Sequence, residues 1–273
     1  MRTNYHTHTA RCQHAFGKET DYIKAAIDAR YDILGFSDHT PWPFTGGFVS
    51  PIRMRIDQLE GYLRTVRKLA ARYADQINIA VGLECEYFPD YLSWLEDRLR
   101  DERAESRADY AILGHHFDLD EINGAYFGAN TSMELARRYA RQVIEGMETG
   151  LYACVAHPDL FVQRFDAFTS GLAELSREIC RASRALSVPL EYNLYGLRKQ
   201  AQPVKPIGLG YPNARFWEIA VEEGCAAIIG VDAHEPQHLG DPELGMLAKV
   251  YLDRLGLRVI DTLEGVAACA RSD

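Results

Sequence analysis

Seven short apolar runs recur along the chain, near Arg2–His6, Ile33–Ser37, Ile77–Leu83, Tyr110–Leu113, Ala153–Ala156, Val188–Tyr192 and Ala226–Val231. Each has the length and the nearly unbroken apolar character of a strand covered on both faces. Helical spacing fills the gaps between them. Leu59, Leu63, Val66, Leu69 and Tyr73 share one helix face, Tyr91, Leu95 and Leu99 another, and Thr131–Glu148 repeats the pattern. Such alternation implies right-handed βα units on a parallel sheet, and seven repeats in 273 residues favour a closed or nearly closed barrel over an open sheet. No GxGxxG or GxxxxGK[ST] motif follows a run, which argues against nucleotide-binding folds. Three segments of weak periodicity, Pro41–Pro51, Phe117–Asn130 and Tyr195–Pro212, are expected to be loops over the barrel mouth that wall a substrate.

Imidazoles and carboxylates mark the ends of these runs. They are His6, His8, His14, His39, Glu84, His116, His157, Asp232 and His234. In a barrel, residues at the C-terminal strand ends converge on one face, so ligands scattered along the chain can meet. In His6-Thr7-His8 two imidazoles two residues apart point the same way on an extended strand, and Asp232-Ala233-His234 repeats that spacing. Glu84 ends a buried run, where a carboxylate costs several kcal/mol unless it is paired or metal-bound. Its two oxygens can bridge two ions, with Glu86 as the competing ligand. Of the adjacent His115 and His116, alternation lets only one enter a shared site, and His116 is the expected ligand. Pro158 fixes the chain exit after His157. Imidazole with carboxylate, without thiolate, suits Zn, Mn, Fe and related divalent ions.

The composition bounds the partners. A formal charge of -9, a pI near 5.5 and the lack of a lysine or arginine cluster argue against gripping a nucleic acid backbone. Bound divalent ions would still make the pocket locally positive, so an anionic substrate remains compatible. The six cysteines, Cys12, Cys85, Cys154, Cys180, Cys225 and Cys269, are dispersed without CxxC spacing and read as reduced packing residues. No charged leader with an apolar core opens the chain, and no stretch reaches the roughly 18 apolar residues of a membrane span. A soluble, cytoplasmic chain of one domain, residues 1–273, is expected, with no membrane partner; its oligomeric state is left open.

Taken together, these residues resemble the polymerase and histidinol phosphatase (PHP) superfamily. Its pattern is HxH, a downstream His, DH, a strand-end Glu, His, HPD and a final DxH. Here the counterparts are His6-Thr7-His8, His14, Asp38-His39, Glu84, His116, His157-Pro158-Asp159 and Asp232-Ala233-His234. The resemblance implies a distorted (β/α)7 barrel with three metal ions at the ends of its strands. His6, His8, Glu84 and Asp232 would hold the first, Glu84, His116 and His157 the second, and His14, His39 and His234 the third. The segments Asp-Tyr-Ala-Ile-Leu-Gly-His-His-Phe at 109–117 and Glu-Tyr-Asn-Leu-Tyr-Gly-Leu-Arg at 191–198 are similar to those of stand-alone histidinol-phosphate phosphatases.

That resemblance implies hydrolysis of a phosphate monoester, L-histidinol phosphate, by a hydroxide between two metals that share Glu84. Glu84, Asp232, His234 and Arg198 are the expected catalytic residues. Arg198 and Arg164 are the candidate phosphate binders, because guanidinium forks match phosphate oxygens, and His115 is a further candidate on the substrate. Asp118, Tyr195 or Trp42 would meet the cationic alcohol. A metal-bound water, His115 or Asp159 would protonate the leaving group. The alternatives are a phosphatase or phosphodiesterase of the same superfamily acting on another ester, and a noncatalytic metal-binding scaffold.

Overall fold

In the computed structural model, residues 1–103, 106–202 and 207–266 are described; Cys269 lies outside them. Strands and helices alternate as the apolar runs and amphipathic stretches predict. They are β1 Thr3–Asn4, α1 Glu19–Asp28, β2 Ile33–His39, α2 Leu59–Arg72, β3 Asn78–Cys85, α3 Leu92–Arg100, β4 Tyr110–Leu113, α4 Met133–Glu148, β5 Cys154–Val155, α5 Ser170–Leu186, β6 Leu190–Asn193, α6 Leu194–Gln200, α7 Ala214–Glu222, β7 Ala226–Gly230, α8 Pro236–Gly240, α9 Pro242–Leu255 and β8 Arg258–Val259. The chain divides into two compact units. One is Met1–Ile112 with Val231–Glu243 and Asp261–Asp273, and the other is Leu113–Gly230 with Leu244–Ile260.

In the first unit β1 pairs with β2 and β2 with β3, all parallel, the second pairing running from Ile33↔Asn78 to His39↔Glu84. Every residue of β2, and of β3 beyond Asn78, is buried. That two-sided burial is why these runs are continuously apolar instead of alternating. Leu59, Tyr62, Leu63, Val66 and Ala70 form the buried face of α2, and each large aliphatic chain so buried contributes about 1.5–3 kcal/mol. Tyr110 reaches across Gly35 and Gly82 and donates its hydroxyl hydrogen to the Tyr5 carbonyl at 2.7 Å.

In the second unit β5 pairs with β6, β6 with β7 from Leu190↔Ala227 to Asn193↔Gly230, and β7 with β8, again all parallel. Helix α4 buries Ala136, Tyr139, Ala140, Val143 and Met147 and packs on α5. Thr169 caps α5 by accepting the Leu172 N–H, one of the donors a helix start leaves unmet.

The structure departs from the sequence-based expectation in three places. An eighth strand, β8, lies beside β7; two residues are too few to register as an apolar run. Strands β2 and β3 continue to His39 and Cys85, so those ligand positions lie inside strand ends. The expected loop Tyr195–Pro212 begins as helix α6, because the Asn193 side chain accepts the Gly196 N–H at 2.9 Å and caps it. Among the described residues no helix is long and apolar enough to cross a membrane.

Candidate metal centre

Asn4, fully buried, sets the entry to both spaced ligand pairs. Its Oδ1 accepts the N–H groups of His6 at 3.2 Å and Val231 at 2.8 Å, and its Nδ2 donates to the His6 carbonyl at 3.0 Å and Thr7 Oγ1 at 2.7 Å. Beyond it, Thr7 and Ala233 pair as a parallel bridge. The His8 N–H meets the Ala233 carbonyl at 2.9 Å and the Ala233 N–H meets the His6 carbonyl at 3.1 Å. Registering the two central residues brings the four flanking side chains together. The β2–β3 register does the same for His39 and Glu84, whose Nδ1 and Oε2 lie 2.9 Å apart.

Two imidazoles and two carboxylates then converge. His6 Nε2 and His8 Nε2 are 3.2 Å apart. Glu84 Oε2 lies 3.4 and 3.5 Å from them, and Asp232 Oδ1 3.5 and 3.1 Å. Two donors each about 2.0–2.2 Å from one divalent ion sit roughly 3.0–3.5 Å from each other. The separations match that requirement. A second pair gives the same answer by a different route. His14 Nδ1 faces the Cys12 carbonyl at 2.8 Å and His234 Nδ1 the Asp232 carbonyl at 3.2 Å, so each Nδ1 carries the hydrogen. The two Nε2 atoms, 3.0 Å apart, therefore present lone pairs to each other, an arrangement that a cation satisfies. The His39 ring centroid is 5.3 Å from that of His14.

The electrostatics agree. Burial opposes the charge on Asp232, yet His6, His234 and His8 overcome it and hold the carboxyl well below the usual carboxylate range. Burial likewise opposes a charge on His8, but Asp232, Asp38, Cys12 and Glu84 raise it well above the ordinary histidine value. His14 and His234 go the other way, lowered by burial and by the charge on His8. Buried carboxylates here demand positive charge, and the residues fit a divalent metal by donor type, spacing and charge.

In the second unit the rings of His116 and His157 lie 5.1 Å apart, and the Tyr211 ring is 5.9 Å from that of His157. Arg164 lines a cavity of about 400 Å³ with Tyr126, Gln163, Lys199, Gln200 and Tyr211. Arg198 lies on α6, but the side of α6 that borders this cavity carries Gly196, Lys199 and Gln200.

A family model described as PHP domain matches residues 4–193. The chain belongs to the PHP domain family. Two curated proteins named "Probable histidinol-phosphatase" are similar to this PHP protein. The one from Deinococcus radiodurans is 28% identical over 86% of this chain and 87% of its own length; the one from Schizosaccharomyces pombe is 26% identical over 97% and 90%. A crystal structure of histidinol phosphate phosphatase from Lactococcus lactis, complexed with Zn, L-histidinol and phosphate, superposes with a TM-score of 0.70 at 18% identity, covering 98% of this chain and 99% of that one.

The other candidate residues of this PHP protein have their own partners within the fold. His115 is fully buried, its ring 5.0 Å from Phe127 and 5.8 Å from Tyr139 and its Nε2 3.2 Å from Gln142 Oε1. Asp118 is tied to Arg138 and accepts the Ala125 N–H at 2.6 Å. Trp42 is buried among Phe88, Tyr91 and Trp94. Glu86, the competitor of Glu84, is held by both guanidinium nitrogens of Arg53, at 2.9 and 3.1 Å, and by the Trp42 indole N–H at 2.7 Å. Asp159 accepts the Asn213 N–H at 2.6 Å and the Trp217 indole N–H at 3.2 Å, and burial raises its carboxyl to about 6.

Sequence reasoning named Asp38 in the Asp38-His39 motif without a role for it, and did not name Lys199. Asp38, buried, accepts the N–H groups of Thr9 at 3.3 Å and His39 at 2.9 Å and the Thr9 hydroxyl, and its Oδ1 lies 3.5 Å from His8 Nδ1. Outer carboxylates of this kind orient metal-ligating imidazoles. Lys199 lines the same cavity as Arg164; adjacency to Arg198 was its only signal.

Proposed function

We propose that this chain is a metal-dependent phosphomonoesterase that hydrolyses L-histidinol phosphate to L-histidinol and phosphate. The observation that carries this reading is the buried pair of His6 Nε2 and His8 Nε2, 3.2 Å apart, with Glu84 Oε2 and Asp232 Oδ1 each 3.1–3.5 Å from both imidazoles. Support comes from relatives named histidinol-phosphatase that match over 86% and 97% of the chain, and from the Lactococcus lactis structure with Zn, L-histidinol and phosphate.

The reading assigns three divalent ions, Zn, Mn or Fe, whose preferences suit imidazole and carboxylate. His6, His8, Glu84 and Asp232 hold the first, Glu84, His116 and His157 the second, and His14, His39 and His234 the third. Bound there, such ions supply an acidified water and neutralise charge developing on the phosphoryl oxygens. The chain's own cations add to that. Arg164 and Lys199 at the cavity bind the phosphoryl group, the guanidinium group by paired hydrogen bonds, and Arg198, on the same helix as Lys199 but outside the cavity lining, adds its charge. Asp38 keeps His8 and His39 oriented. The same reading treats residues 1–273 as one distorted (β/α)7-type barrel domain with the ions at its strand ends. It acts in the cytoplasm on a small-molecule ester, without a nucleic acid or membrane partner.

The test is phosphate release from L-histidinol phosphate against sugar phosphates, nucleotides and a diester, on protein of quantified metal content. A marked kcat/KM preference for histidinol phosphate is the expected result. Preference for another ester moves the substrate and keeps the chemistry, and inactivity of metal-loaded protein on every ester refutes the reading.

A further inference from the structure

His157 adopts φ +32°, a left-handed conformation that a residue with a Cβ takes only when its surroundings impose it. The following Pro158 also pushes its neighbour towards extended backbone, so two local preferences are overridden. Side chains from elsewhere in the unit supply the reason. Glu191 Oε2 accepts the His157 N–H at 3.1 Å, and Tyr139 donates its hydroxyl hydrogen to the His157 carbonyl at 3.4 Å. The Glu191 carboxylate is itself held by Asn193 Nδ2 at 2.9 Å. It is 2% exposed, so water does not compete for the His157 N–H.

Gly230, opposite Asn193 on β7, makes room for this carboxylate. A Cβ there would sit 2.7 Å from Glu191 Cγ and closer still to the carboxylate. Gly230 does not use the positive φ that only glycine adopts freely, since it is absent from the positive-φ glycines of the chain. Space, not backbone freedom, is what this glycine provides.

We infer that Glu191 is a positioning residue, holding His157 in the strained backbone conformation that aims its ring, with Gly230 as the void that admits it. The inference rests on His157 being a metal ligand, as in the proposed function. Partners that orient a ligand typically change metal affinity by about 10–100-fold when removed.

The test measures apparent Zn²⁺ affinity by chelator competition, and the visible spectrum of Co²⁺-substituted protein, for the full chain and for Glu191→Ala, Glu191→Gln, Gly230→Ala and His157→Ala. Far-UV circular dichroism reports folding. Glu191→Ala and Gly230→Ala should weaken binding by about 10–100-fold and perturb the Co²⁺ spectrum as His157→Ala does. Glu191→Gln, whose amide oxygen still accepts the His157 N–H, should stay within about threefold of the parent, well short of that loss. Should Glu191→Ala fail to fold, the contrast between Gly230→Ala and Glu191→Gln decides. Unchanged binding in Glu191→Ala or Gly230→Ala beside a weakened His157→Ala overturns the inference and leaves the metal-centre reading intact. A Gln variant as impaired as the Ala variant overturns it too, and unchanged binding in His157→Ala overturns both readings.

Discussion

Replacing Arg53 by Met is expected to cost far more than its distance from any catalytic role suggests. Arg53 and Glu86 are each 1% exposed, joined at 2.9 and 3.1 Å, and Arg53 also donates to the Thr40 carbonyl at 3.1 Å. Met roughly preserves the stem but leaves the buried Glu86 carboxylate against the Trp42 indole N–H without its counter-charge. Breaking a buried pair from one side costs about 3–5 kcal/mol. At about 2–4 °C per kcal/mol for chains of this order, the melting temperature should fall by roughly 6–20 °C. Urea unfolding of metal-free protein, followed by tryptophan fluorescence, measures this directly because Trp42 sits in the cluster. The double variant Arg53→Met/Glu86→Leu, which removes both charges, should recover most of the loss. It should also keep its metal affinity, since Glu84 and not Glu86 faces the ligand set. A loss below about 1 kcal/mol in Arg53→Met would refute the argument, because a pair so cheap to break would be behaving as an exposed one.

Further outcomes follow from other sites. Glu84→Ala should lower kcat on L-histidinol phosphate by more than about 100-fold, beyond the cost of losing an outer partner, while circular dichroism stays unchanged; a parent-like rate would remove Glu84 from the centre. Gly82→Ala would press a methyl against the Tyr110 ring, 2.7 Å from Cε2, and should destabilise by about 1–3 kcal/mol; an unaltered melting temperature would show that Tyr110 can move aside. Burial raises Asp159 from 3.8 to about 6, so the folded state binds that proton more tightly than the unfolded chain. The associated stability is fully present below about pH 4 and is lost as pH rises through about 6, amounting to about 3 kcal/mol. Asp159→Asn should flatten the stability of metal-free protein across that window, and an unchanged slope would exclude Asp159 as its source.

Short-range pattern was enough for much of this protein. Apolar runs marked seven of the eight strands among the described residues, because a strand covered on both faces needs nearly every residue apolar. The pair His6/His8 was readable because neighbours two apart share a face on extended chain, and Asp232/His234 because it repeats that spacing. Glu84 stood out because a charge has no local reason to end a buried run.

Tertiary structure decided what these patterns face. That Thr7 registers with Ala233, and His39 with Glu84, depends on strand pairing between distant segments. Glu84 and Glu86 are two residues apart and indistinguishable in type, and Arg53, delivered by the long segment after β2, settles which one is committed elsewhere. His115 and His116 separate only when Phe127, Tyr139 and Gln142 pack around the first. The helix α6 begins inside an apparent loop because Asn193 caps it, and His157 and Asp232 take positive φ values of 32° and 50° that no propensity favours. Local sequence encodes periodicity and burial, whereas partner, register and imposed backbone strain arise only from side chains brought together by the fold.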